Sequence, residues 1–106
     1  MDRLPAHLEV SGLLQAVSAQ VGFATVLAKG ERDAGTILVI CCANGTNACL
    51  FERMPNLDGT RKWTRVKAQD TDNPSDFDDY VARRKAQDCD LWIVELDIAN
   101  GERFIL

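Results

Sequence analysis

The chain has 106 residues, 46% hydrophobic and 26% charged, with a formal net charge of −4. That length and balance suit one hydrophobic core and exclude a disordered chain. No apolar run reaches the roughly eighteen residues of a membrane span, and the net charge argues against a general nucleic-acid partner.

The first predicted element is a helix. Pro5 suits a first helical position, and Val10, Leu13, Leu14, Val17 and Val21 recur at the spacing of one buried stripe. Gly22 stands where a left-handed C-terminal residue is expected. His7, the sole histidine, reads as an exposed first-turn residue. The preceding stretch has no apolar leader core, which predicts a cytoplasmic protein.

From Phe23 the period changes to that of strands. "FATVLAK" and "TILVICCA" are rich in β-branched and apolar residues, with the loop "KGERDAG" between them. Asn44-Gly45 is a strong hairpin signal leading into "ACLFERM", and Pro55 to Gly59 breaks the chain again before "RKWTRV". Short loops between four strands predict an antiparallel meander. Asn73 and Pro74 then open a second helix, with Asp76, Asp78 and Asp79 at its start and Arg83, Arg84 and Lys85 at its end. Its thin apolar side (Phe77, Tyr80, Val81, the Arg84 stem) predicts an edge cover or a partner contact. In "DLWIVELDIA" Trp92, Val94, Leu96 and Ile98 alternate with Glu95 and Asp97, giving a strand with a buried and a wetter face. After Asn100-Gly101, "ERFIL" offers a short sixth strand.

The prediction is a single α+β domain over residues 1–106. Two helices lie on one face of a mostly antiparallel five- or six-stranded sheet, in the order α-β-β-β-β-α-β(-β).

Cys41, Cys42 and Cys49 sit inside apolar runs, and adjacent Cys41 and Cys42 should point to opposite faces. With Cys89 they read as reduced residues rather than a disulfide framework. No Cys-x-x-Cys or His-x-x-x-His spacing supports a metal site, and no cofactor is expected. "GERDAGT" lacks the Lys and following helix of a phosphate loop. Asn44-Gly45-Thr46, formally a glycosylation acceptor, reads as a turn.

The charge is unevenly spread. Residues 52–67 carry five basic groups against two acidic ones, whereas residues 70–79 hold five Asp and no basic group. If "RKWTRVK" is a strand, Arg61, Trp63, Arg65 and Lys67 share one face, and a suitable register adds Phe51 and Arg53. Guanidinium forks around aromatics suit a phosphate or carboxylate. Phe51, Arg53, Arg61, Trp63 and Arg65 are therefore the candidate binding residues. They would take an anionic small molecule or an acidic protein segment, the Asp70–Asp79 stretch of a second copy included, which would give a homodimer.

The leading reading is a non-enzymatic binding or interaction module. The alternative is a small enzyme acting on a phosphorylated or carboxylated metabolite, with the Arg groups as clamps and Glu52 or Asp58 as acid or base. No catalytic residue is otherwise indicated.

Three segments, "PAHLEVSGLLQAV", "LFERMPNLDGTRKW" and "DLWIVELD", together resemble the family known as domain of unknown function 1491, small uncharacterised alphaproteobacterial proteins. The resemblance runs from Pro5 to the C-terminal strand, with Cys89 standing where the pattern has a Pro. It implies a bacterial cytoplasmic protein and carries over no activity, cofactor or catalytic residue.

Overall fold

The computed structural model describes residues 4–55 and 57–106, without the side chains of Met54 and Pro55. Helix α1 (Ala6–Ala19) is followed by strands β1 (Phe23–Ala28), β2 (Ile37–Ala43), β3 (Thr46–Pro55) and β4 (Arg61–Ala68). Helix α2 (Pro74–Gln87), strand β5 (Trp92–Asp97) and a 3₁₀ turn (Gly101–Phe104) complete the order. The α+β class and the order α-β-β-β-β-α-β hold, with five strands. "ERFIL" coils into the 3₁₀ turn after Asn100, whose φ is 55°.

The sheet departs from a four-strand meander. Its order is β1-β5-β2-β3-β4, so β5 lies between β1 and β2, antiparallel to β1 and parallel to β2. Strands β2, β3 and β4 do form an antiparallel meander. A parallel neighbour requires a long crossover, and the path through α2 supplies it. The β1–β2 loop folds around the start of β5. Backbone N–H groups of Glu31 and Trp92 donate to the carbonyls of Asp90 and Thr36, and the Trp92 indole donates to the Glu31 carbonyl.

The helices lie on opposite faces rather than on one. On the α1 face Ala6, Val10 and Val17 pack with Ile37, Val39, Cys41, Phe51, Trp92, Val94 and Leu96. On the other face Phe77 of α2 packs with Leu38, Ile40, Cys42, Leu50, Leu91 and Ile93. A central sheet covered on both faces explains why all four residues of "LWIV" are buried, including two on the face expected to be wet. Helix α2 is thus the cover of a second core, as well as thin in apolar residues. No helix among the described residues is long and apolar enough to cross a membrane.

The end of α1 also differs. Val21 leaves the stripe, takes φ 62° and is 91% exposed. Gly22 is required for closeness instead: a Cβ there would stand 2.7–2.8 Å from Ile98 and Val17. At the β2–β3 turn Asn44 and Gly45 have φ of 53° and 73°, the paired positive values of a tight hairpin.

Cys41 and Cys42 are buried on opposite faces, Cys49 is half-buried and Cys89 exposed, all as free thiols. Burial, reinforced by Glu102, pushes the Cys41 thiol up to about 12. Burial with Glu95 and Asp97 pushes Cys42 up to about 11. Since the thiolate is the reactive form, iodoacetamide in mildly alkaline buffer should modify Cys89 first and Cys49 next. Cys41 and Cys42 should react only on unfolding. Peptide mass spectrometry over time checks this order, and early modification of Cys41 contradicts it.

Candidate functional site

The register of the β3–β4 hairpin brings the candidate residues together. Phe51 pairs with Arg65, Arg53 with Trp63 and Pro55 with Arg61. Directly opposed residues share a face, so Phe51, Arg53, Arg61, Trp63 and Arg65 all lie on the α1 side of the sheet. Lys67 does not join them. A register shift between Leu50 and Phe51 leaves Val66 unpaired and sets Lys67 opposite Leu50, on the α2 side. There its ammonium meets Asp76 at 2.5 Å and holds that carboxyl below its ordinary value.

The five residues divide by environment. Phe51 is 8% exposed and belongs to the core beneath the patch. Trp63 is half-buried against the same core, with the Arg53 guanidinium 4.9 Å from its ring centroid. Arg53 also makes a two-pronged contact with Glu9 of α1, Nη1 donating to Oε1 at 3.0 Å and Nη2 to Oε2 at 2.8 Å. Planar fork-to-carboxylate pairing of this kind fixes both partners. Glu9 sits in the first turn of α1, where the helix dipole favours a carboxylate. The pair thereby ties the helix to the hairpin. Arg61 and Arg65 are exposed, and neither has an ion-pair partner among the described residues.

Three concavities meet at Arg53. One of about 300 Å³ runs between α1 and the hairpin, lined in part by Leu8, Glu9, Leu13, Trp63 and Ile105. A second, about 250 Å³, lies toward Asp33 and Gly35. A third, about 380 Å³, is lined by Arg53, Gly59, Thr60 and Arg61 at the hairpin tip. The apolar groove thus opens on the same side of the sheet as Arg61 and Arg65, two cations with no ion-pair partner among the described residues.

The acid–base candidates lie elsewhere. Glu52 faces α2, where it accepts from Arg84 at 2.7 and 3.2 Å and raises the guanidinium above its ordinary value. Asp58 accepts from the hydroxyl and backbone N–H of Thr60, and those bonds lower its carboxyl. It shapes the turn. Glu95 and Asp97 are on the face opposite Trp63, and Asp97 accepts from the Asn44 backbone N–H. His7 Nδ1 lies 3.1 Å from the Arg32 carbonyl. Among the described residues no group of three or more His, Cys, Asp or Glu converges on a point.

Sequence reasoning missed Glu9 and the wall that α1 gives the groove. The signal was present: apart from His7, Glu9 is the one ionisable side chain in "AHLEVSGLLQAVSA". A lone carboxylate on an otherwise apolar helix asks for a partner.

Comparison with known proteins places the chain. A search among curated proteins finds no match. A crystal structure of a DUF1491 family protein from Caulobacter crescentus CB15 is 31% identical, with a TM-score of 0.83 over 96% of this chain and 94% of that one. An NMR structure of a DUF1491 family protein from the same organism is 29% identical, with a TM-score of 0.82 over 99% and 94%. The solution structure of protein Atu0922 from A. tumefaciens shares the fold at 24% identity, with a TM-score of 0.75 over 98% and 93%. The family model described as "Protein of unknown function (DUF1491)" matches residues 4–106. The chain therefore belongs to the DUF1491 family.

Proposed function

We propose that the protein is a non-enzymatic interaction module whose Arg/Trp face takes an acidic segment of a partner protein. The observation that carries this reading is the division of labour among the cations of one hairpin. Arg53 and Lys67 are consumed by Glu9 and Asp76, while Arg61 and Arg65 stand exposed on the groove's side of the sheet with no carboxylate partner among the described residues. Arg61 and Arg65 stand four residues apart on one strand face, about 13 Å, which matches acidic side chains four residues apart in an extended segment, and Trp63 between them gives that segment an apolar contact. The enzyme alternative finds less support, because Glu52 and Asp58 are both engaged in structural contacts away from the groove.

Fluorescence anisotropy with a labelled glutamate-rich peptide tests the reading. Arg61 and Arg65 are exposed, so Arg61→Glu/Arg65→Glu should fold as the wild type does. The wild type should bind the peptide, more weakly as salt rises, and the variant should lose at least about tenfold in affinity, roughly 1.4 kcal/mol. No binding by the wild type at low salt, or equal binding by the two proteins, overturns the proposal. Inorganic phosphate run as a competitor shows whether a small anion suffices. Trp63 is a poorer target, since its replacement disturbs the core as well as the face.

A further inference from the structure

The two edges of the sheet are built differently. Edge strand β4 reads "RKWTRVKA", with four basic residues that keep an unrelated strand from adding to it. Edge strand β1 reads "FATVLA": no charge, no Pro and no Gly. A bulge at Leu27 interrupts its pairing with β5, and Phe23 to Val26 remain regular. Phe23 is 76% and Leu27 45% exposed. Val21, just before the strand, is 91% exposed and holds φ 62°. A β-branched residue in that region is strained by about 1–2 kcal/mol, and its side chain is left almost wholly in solvent.

We propose that β1 is the interface of a homodimer, pairing antiparallel with β1 of a second copy to make one continuous ten-stranded sheet. The strand is complementary to itself. With the two-fold axis perpendicular to the sheet between the two copies of Thr25, Thr25 faces Thr25 within the regular stretch of the strand. Thr–Thr cross-strand pairs are among the favourable ones. Ala24 then faces Val26 on the α1 side.

Charge selects the same occupant. Asp97 and Glu95 lie beside Phe23 and Thr25 on the neighbouring strand, and Lys29 follows the other end of β1. Antiparallel pairing sets the acidic end of one edge toward the basic end of the other, whereas an acidic foreign segment would be repelled. The flank of α1 opposite the groove carries His7, Ser11, Leu14 and Ser18, with no Asp, Glu, Lys or Arg where the two helices approach. This interface lies on the edge opposite the Arg/Trp face and does not depend on that reading.

Sedimentation equilibrium over a dilution series tests the proposal. The wild type should move from the 11.7 kDa of one chain toward twice that mass as concentration rises. Thr25→Lys places two ammonium groups on the two-fold axis and should stay at the mass of one chain, as should Phe23→Ser should the lysine variant fail to fold. Leu57→Lys, at another fully exposed apolar position, should behave like the wild type. In the wild-type dimer, amide exchange should show β1 protected beyond what pairing with β5 alone provides. A wild type that stays at one chain throughout overturns the proposal. So does a folded Thr25→Lys variant that associates as the wild type does.

Discussion

Phe77→Ala should destabilise the protein by about 3–4 kcal/mol, lowering Tm by roughly 12–20 °C. Phe77 is 3% exposed and is the one fully buried side chain of α2. Tyr80 and Val81 add partly buried surface beside it. What else holds the helix is polar: Arg84 on Glu52 and Lys67 on Asp76, the latter with its carboxylate side chain 46% exposed. The exposed Lys67–Asp76 pair contributes well under about 1 kcal/mol, and the half-buried Arg84–Glu52 pair fixes only the end of the helix and does not replace the anchor. Beneath Phe77 lie Leu38, Ile40, Leu50 and Ile93, which solvent would reach if α2 lifted away. The predicted loss is therefore accompanied by amide exchange in α2 that is faster than in β2 and β5, as for a cooperative unit that opens before the rest. A loss below about 1 kcal/mol, measured by denaturant unfolding, would show that α2 is held by contacts other than this one.

That dependence on a single aromatic explains how α2 was legible in the sequence and how its role was not. The start signal at Asn73-Pro74 and the charge gradient locate the helix, because those are local facts about helix ends. Its placement is non-local. Three apolar residues do not tell whether they cover an edge or the middle of a second face. The answer was written in other strands: "ILVICC" is buried at all six positions and "LWIV" at all four. Strands apolar on both faces belong at the centre of a sheet and beside each other, and β1, exposed at alternate positions, belongs at the edge. Read that way, the sequence argues for β5 beside β2 and for a helix on each face. The meander held for β2, β3 and β4 and failed only at β1, where neighbours in sequence are not neighbours in space.

The candidate site shows the same division. Alternation along "RKWTRV" correctly groups Arg61, Trp63 and Arg65, and the hairpin brings in Phe51 and Arg53. A one-residue shift at Val66 removes Lys67, since side-chain direction flips with each residue and a bulge resets the count. Nothing in the order of residues marks that bulge. Nor does hairpin register say which cations are already satisfied, because Glu9 and Asp76 arrive from helices on either face.

The largest effect at the site itself should come from breaking the Arg53–Glu9 pair on one side only. Arg53→Met should cost about 2–3 kcal/mol, since the Glu9 side chain, 21% exposed, would keep its charge without its two donors. Glu9→Leu should cost a similar amount by stranding a guanidinium whose side chain is 17% exposed. The double variant Arg53→Met/Glu9→Leu should recover most of the loss, to within about 1 kcal/mol of the wild type, because two apolar side chains suit the adjoining groove of Leu8, Leu13 and Trp63. Denaturant unfolding of the four proteins closes the cycle. Recovery in the double variant assigns the pair to charge matching, a clasp between α1 and the hairpin, and leaves Arg61 and Arg65 as the cations that face a partner. Failure to recover assigns the value instead to the Arg53 guanidinium over the Trp63 ring, a cation–π contact that methionine fills in bulk but does not reproduce. In the first case peptide binding by the double variant should match the wild type. In the second it should fall with stability, because Trp63 would have lost the group that holds its ring in place.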